Sequence, residues 1–157
     1  MSSTSLLSEN LPPLAERIRP KALADFIGQT EIIHENSLLS NAAASNQPFS
    51  LIFWGPPGTG KTTLARILSQ EFKADYFELS AISSGVKQIR EILKKGKAAF
   101  DSGRRSILFI DEIHRFTKSQ QDALLHAVED GSITLMGATT ENPSFEVISP
   151  LLSRCQV

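Results

Sequence analysis

Ser50-Leu51-Ile52-Phe53-Trp54 runs directly into Gly55-Pro56-Pro57-Gly58-Thr59-Gly60-Lys61-Thr62, and the fold turns on this stretch. The first five residues lack polar alternation, the pattern of a strand covered on both faces. The next eight fit G-x-x-x-x-G-K-[ST]. Glycines let the main chain curl tightly, so that several amide N–H groups point inward at anionic oxygens. Residues 63–72, TLARILSQEF, bring Leu64, Ile67, Leu68 and Phe72 to one side of a helix. That helix directs the positive end of its dipole at the same loop. Strand, glycine-rich loop and helix in this order imply a nucleoside triphosphate cradled by residues 55–63, from Gly55 to Thr63. Lys61 reaches the β- and γ-phosphates as a point charge, and the Thr62 hydroxyl is a candidate Mg²⁺ ligand.

Working outward, residues 75–80 read as a second strand and 86–100 as a helix with Val86, Ile89, Leu93 and Phe100 at helical spacing. Residues 106–110, Ser-Ile-Leu-Phe-Ile, are a third apolar strand, and 119–129 a helix capped by Ser119. Residues 132–138 form a fourth strand, and 151–154 resemble a short helix end. Towards the N-terminus, residues 30–45 read as a helix with Ile32, Ile33, Leu38 and Leu39 on its apolar side. Before it lie a short helical piece, a break at Arg19-Pro20 and a turn ending at Gly28. Residues 1–11 are rich in Ser and expected to be loose. Alternating strands and helices predict an α/β fold, a parallel sheet with helices on both faces, over residues 12–157.

A phosphate loop by itself only binds. The strand ending in Asp111-Glu112 supplies what hydrolysis needs, because ligands gather at the carboxyl ends of strands in open α/β sheets. Asp111 would hold Mg²⁺, and Glu112 would orient or deprotonate an attacking water. His114 reads equally as a polar link in this site or as a surface histidine. It has no metal-ligand company, which argues against zinc.

The 157 residues fit one domain, with 41% hydrophobic and 21% charged residues, a soluble globular balance. A net charge of −1 gives no global basic field, so any polyanion contact must be local. One cysteine, Cys155, excludes an internal disulfide and a cysteine-rich zinc site. No apolar run is long enough to span a bilayer, and the N-terminus lacks the pattern of a secretory signal, so the expected location is cytoplasmic, with no membrane partner. Between Lys87 and Arg105 stand seven basic residues (Lys87, Arg90, Lys94, Lys95, Lys97, Arg104, Arg105) against Glu91 and Asp101. Lys87, Arg90 and Lys94 fall on adjacent helical turns. With no aromatic residues between them, they suit contact with a nucleic-acid backbone rather than base stacking.

The two nucleotide motifs, in Walker A and Walker B positions, resemble an AAA+ ATPase module of the P-loop NTPase class. The strings FWGPPGTGKTTLAR, ISSGVKQIRE, DEIHRFTKSQQDALL and GATTENPSFEV are similar to the MgsA/RarA branch, the replication-associated recombination proteins, over residues 12–157. The resemblance implies an ATPase acting at stalled or gapped replication forks. It implies assembly as a ring or tetramer, binding to DNA ends or single-strand/duplex junctions, contact with single-strand-binding protein, and a nucleoid-associated location. Glu16 to Pro20 and Phe26 to Gln29 look like an adenine-side segment, so Ile18, Arg19, Ile27 and Gly28 would border the base. Leu151-Leu152-Ser153-Arg154-Cys155 looks like an arginine-finger motif, with Arg154 entering a neighbouring subunit's site. The polar sensor 1 residue is Asn142 by the count back from Arg154 and Thr140 by the Ala138-Thr139-Thr140 string. Asn142 is preferred because its amide both donates and accepts.

The alternatives are a clamp-loader subunit or Holliday-junction branch-migration motor, a nucleotide-binding assembly module without turnover, and a plain nucleic-acid-binding domain. GATTENPSFEV argues against the first pair and Glu112 against the assembly module. The chain ends where a further strand could begin. A longer protein is expected, in which the last strand, a helical lid and a sensor 2 arginine follow.

Overall fold

The computed structural model describes residues 12–157; the segment 1–11, expected to be loose, lies outside them. Four parallel strands form one sheet: β1 (Leu51–Trp54), β2 (Asp75–Ser80), β3 (Ser106–Asp111) and β4 (Thr134–Thr139), in the order β1-β4-β3-β2. Helices α1 (Leu14–Arg17) and α2 (Leu38–Ser45) precede β1. Helix α3 (Lys61–Glu71) follows β1, α4 (Val86–Asp101) follows β2, and α5 (Lys118–Glu129) follows β3. Two single-turn helices, α6 (Pro143–Glu146) and α7 (Ser149–Leu152), follow β4.

The two-residue period of a strand divides the core into two layers. On β3, Ile107 and Phe109 join Leu64 and Leu68 of α3, Phe72 at its C-cap, and Leu39 and Ala42 of α2. Leu108 and Ile110 point the other way, into a layer with Ile89 of α4, Leu124 of α5 and Leu151 of α7. The α/β architecture with helices on both faces therefore matches the sequence expectation. Strand β3 is the centre of the molecule, with residues 106–110 all buried. Strand β1 departs from the expectation: Leu51 and Ile52 are buried, whereas Trp54 at its tip is exposed. On the edge of β1 away from β4, Ile52 N donates to Gln156 O at 2.8 Å and Gln156 N to Ser50 O at 2.9 Å, a parallel bridge.

Three local readings are corrected. The helix expected over residues 30–45 starts only at Leu38. Gln29 and Asn36 take left-handed backbone conformations, and the Ser37 side chain caps the Ser40 amide. Helix α5 is capped by Thr117, not Ser119: Thr117 Oγ1 accepts from Gln120 N while Gln120 Oε1 accepts from Thr117 N, a reciprocal capping box. On α4 the buried positions are Ile89, Gly96 and Ala99, and Val86 and Phe100 stay exposed. At Gly96 the helix lies too close to Ile133 for any side chain.

Gln121 is 1% exposed, yet its amide is fully used. Nε2 donates to Phe116 O (3.2 Å) and Glu146 O (2.9 Å), and Oε1 accepts from Ile148 N (2.8 Å). One side chain thus ties the turn after β3 to the segment leading into α7. Gln121→Leu strands these buried backbone groups at about 1–3 kcal/mol each. The expected total is roughly 3 kcal/mol, a fall in Tm of about 6–12 °C for a chain of this size. Thermal unfolding followed by circular dichroism checks it.

Candidate functional site

The loop 55–62 joins the carboxyl end of β1 to the N-terminus of α3, as its sequence requires. Gly58 and Gly60 have φ of +77° and +90°, and Gly60 is the N-cap of α3. A side chain at Gly60 would also meet the ring of Phe26, with Cζ 2.7 Å from the added carbon. Only glycine therefore suits this position on both conformational and steric grounds. Lys61 Nζ donates to Gly55 O (2.8 Å) and Pro56 O (2.9 Å), and Thr59 Oγ1 donates to Pro56 O (3.0 Å). The lysine is thus held across its own loop by two carbonyls.

Gly55 N donates to Thr139 O at 3.2 Å, which extends the β1–β4 register one residue beyond Trp54↔Thr139. Asp111 lies at the tip of β3, on the far side of β4 from β1. The sheet order, not sequence proximity, brings the acid pair to the same edge as the loop. Glu112 follows in a left-handed conformation, φ +56°. That conformation costs a residue with a side chain of order 1 kcal/mol and is commonest at functional sites. The next residue, Ile113, packs against Gly137 of β4, where an added carbon would sit 3.0 Å from Ile113 Cδ1 and 2.8 Å from Ile52 Cδ1.

His114 is not a surface residue. Its side chain is 10% exposed, with Nε2 3.1 Å from Glu112 Oε2. Nδ1 lies 2.9 Å from Thr139 Oγ1. The choice left open by the sequence resolves towards the polar link. Thr139 itself is 1% exposed, and its Oγ1 also accepts from Glu141 N at 3.0 Å.

Of the expected base-side residues, Ile18, Arg19 and Ile27 gather beside the loop, whereas Gly28 does not line the cleft. Ile18, Arg19 and Ile27 line a cleft of about 570 Å³ together with Phe26, Gly58, Thr59, Gly60 and Thr63. Ile18 and Ile27 are 71% and 94% exposed, apolar groups facing a phosphate loop. Gly28 has φ +91° and turns the chain there. Arg66 on α3 anchors this segment, pairing with Glu78 of β2 at 3.0 Å and Glu16 of α1 at 3.5 Å. Hydrogen bonding to Glu78 raises the Arg66 pKa above its ordinary value. Burial, with Glu78 adding to it, pushes the Tyr76 phenol up.

Of the two sensor candidates, Asn142 is the N-cap of α6, its Oδ1 accepting from Ser144 N at 3.0 Å. Thr140 directly follows Thr139, the last residue of β4. Arg154 is on another side of the molecule, with Nη2 2.7 Å from Glu129 Oε1 and Nη1 donating to Pro150 O at 2.7 Å. Both side chains of this pair are about 40% exposed, so breaking it costs under about 1 kcal/mol. Cys155 is half-buried, and burial pushes its thiol up to about 11, which suits a packing role rather than a nucleophile.

The basic set divides. Lys87, Arg90, Lys94 and Lys95 are exposed on α4. Lys97 pairs with Asp101 at 3.5 Å, Arg104 pairs with Asp75 at 2.7 Å, and Arg105 donates to Asn46 O. The last two therefore leave the row. The sequence did not reveal Gln121, Glu129 or the link from Thr139 to His114, because each acts through a tertiary contact with no local pattern. The alternation of Thr117 and Gln120 in a capping box was the one missed signal visible in the sequence.

The residues fit a magnesium nucleotide. A side chain at Gly58 would meet no atom within 4 Å, so the mouth of the loop is open for phosphate. The Thr62 hydroxyl and Asp111 carboxylate are hard oxygen donors of the kind Mg²⁺ takes.

Residues 51–157 match the family model "ATPase family associated with various cellular activities (AAA)". Replication-associated recombination protein A of Escherichia coli K12 is 52% identical over the whole chain, which spans 36% of that relative's length. ATPase WRNIP1 of Dictyostelium discoideum is 47% identical over 98% of the chain and 18% of its own length. Among solved structures, the Thermotoga maritima RuvB Holliday junction branch migration motor superposes with a TM-score of 0.72 at 36% identity. That match covers 87% of this chain and 46% of RuvB. No described helix is long and apolar enough to cross a membrane.

Proposed function

The chain belongs to the AAA family of ATPases, and from that premise we propose that it is the nucleotide-hydrolysing module of a replication-associated recombination protein acting on DNA at stalled or gapped forks. The observation that carries the reading is the placement of loop 55–62 and the acid tip of β3 at the same carboxyl end of the parallel sheet, with β4 between them. Residues 55–63 bind the phosphates through backbone amides. Lys61 exchanges its two loop carbonyls for phosphate oxygens. Thr62 and Asp111 would hold Mg²⁺, whose charge offsets the negative charge that develops during phosphoryl transfer. Glu112 takes a proton from the attacking water at a carboxylate oxygen.

Ile18, Arg19, Ile27 and Gly28 border the base, a role supported by the exposed apolar side chains beside Gly58 and Thr59. The capping bond of the Asn142 side-chain carbonyl to Ser144 N supports Thr140 over Asn142 as the polar sensor. Arg154 completes a neighbouring subunit's site in a ring or tetramer. Its weak pairing with Glu129 is compatible with that reach. The protein is then cytoplasmic and nucleoid-associated, with single-strand-binding protein as a further partner.

DNA is gripped along its backbone by Lys87, Arg90 and Lys94, which stand on successive turns of α4. Replacing all three by Ala in the full natural protein should weaken binding to a forked DNA of any sequence. The slope of log affinity against log salt should fall by about 2–3. Fluorescence anisotropy at several salt concentrations measures both. An unchanged slope removes α4 from the interface. ATP turnover that forked DNA leaves unaltered, in wild type and triple variant alike, argues for an assembly module instead.

A further inference from the structure

We propose that His114 is the positioning residue for Glu112, holding its carboxylate in place through a hydrogen-bonded link to Thr139 of β4. The inference rests on the reading of Glu112 as the water-activating group. The link runs Glu112 Oε2, His114 Nε2 (3.1 Å), His114 Nδ1, Thr139 Oγ1 (2.9 Å). Beyond it, Thr139 Oγ1 lies 3.2 Å from Glu141 O, and Thr139 O accepts from Gly55 N, the first residue of the phosphate loop. Among the described residues, no other side chain bonds the Glu112 carboxylate.

Proton accounting fixes the direction of the first bond. An ionised carboxylate accepts only, so His114 Nε2 must carry its proton and donate to Oε2. His114 Nδ1 then either accepts the Thr139 hydroxyl proton or, in the doubly protonated ring, donates to Thr139 Oγ1. In both states Oε2 is committed to His114, and Oε1 is the oxygen left for the reacting water. Glu112 needs such a support because its left-handed backbone does not by itself fix the side chain. Thr139 is almost wholly buried and cannot drift, so the imidazole is clamped at both nitrogens. Thr139 is the last residue of β4, and its carbonyl holds Gly55 N at 3.2 Å. Displacement of the β4 tip therefore reaches the Glu112 carboxylate through His114.

The test uses the full natural protein, with wild type and Glu112→Gln measured alongside. His114→Ala should lower kcat about 10–100-fold, the effect of a misplaced catalytic group. The Kd for a fluorescent ATP analogue should change less than threefold. Gln and Asn at position 114 separate positioning from packing. A Gln amide nitrogen reproduces Nε2 and can donate to Glu112. An Asn amide reproduces Nδ1 and reaches only Thr139. His114→Gln should therefore recover more kcat than His114→Asn. Thr139→Val should lower kcat in the same sense, and combining it with His114→Ala should add little. If His114→Ala proves unfolded by circular dichroism, the volume-conserving His114→Gln and Thr139→Val carry the test.

Unchanged or increased kcat in folded His114→Ala, or equal rescue by Gln and Asn, overturns the inference while Glu112→Gln remains inactive. Equal turnover by wild type and Glu112→Gln removes the premise and the inference together.

Discussion

Glu112→Gln is expected to cut ATP turnover by about 10²–10⁴-fold, the range contributed by a positioned general base. The substitution keeps the volume and one carbonyl oxygen, so the left-handed turn between β3 and the following 3-10 turn at Ile113–Arg115 should survive. What is lost is the group that can take a proton at neutral pH. Affinity for ATP should stay within about threefold of wild type, because the loop 55–62 and Lys61 are untouched. Steady-state phosphate release and equilibrium binding of a fluorescent ATP analogue, on the same preparation, separate these two quantities. Retained turnover would show that another group activates water, and Glu112 would then be a structural acid closing a strand.

Lys61→Ala should act on the other parameter. The Lys61 ammonium spans the Gly55 and Pro56 carbonyls, which keeps its charge inside the mouth of the loop. Charge-assisted hydrogen bonds to phosphate contribute about 1.5–3 kcal/mol each. Losing two, after allowing for the two carbonyl contacts surrendered on binding, amounts to roughly 3 kcal/mol, or about 10²-fold in Kd. Turnover should fall with it. Isothermal calorimetry with ADP and with a non-hydrolysable ATP analogue measures the loss. The stability of the protein should barely change, because the lysine is half-exposed and its carbonyl partners can turn to water. A Kd within threefold of wild type would mean that the loop binds no triphosphate.

The paired variants divide the site by function. Lys61→Ala should weaken binding and hence turnover, whereas Glu112→Gln should lower turnover alone. His114→Ala should resemble a weak Glu112→Gln. Gln121→Leu should lower stability without a direct effect on either constant. A common loss of everything in all four would indicate misfolding rather than chemistry.

Much of this was legible in the chain itself. The spacing of Gly55, Gly60, Lys61 and Thr62 predicts a phosphate cradle without reference to the rest of the chain, because backbone curvature and charge are local properties. The apolar run ending in Asp111-Glu112 marks a buried strand and its tip, since burial on both faces suppresses alternation. The layering followed from alternating strands and helices. Other features had no local signature. His114 in the sequence is one polar residue among several, and only the folding of β4 beside β3 brings Thr139 to its ring. Gln121 looks like any helical glutamine until the 146–148 segment closes over it. Arg104 and Arg105 extend the basic run in sequence but leave it in space, because the chain turns at Gly103 into β3. The helix expected from residue 30 was lost to left-handed turns at Gln29 and Asn36, which apolar periodicity does not reveal. Groups whose task is set by neighbours in the chain could be read directly. Groups whose task depends on a partner strand or helix required the sheet order, because hydrogen bonds and ion pairs act over a few ångströms in space rather than along the sequence.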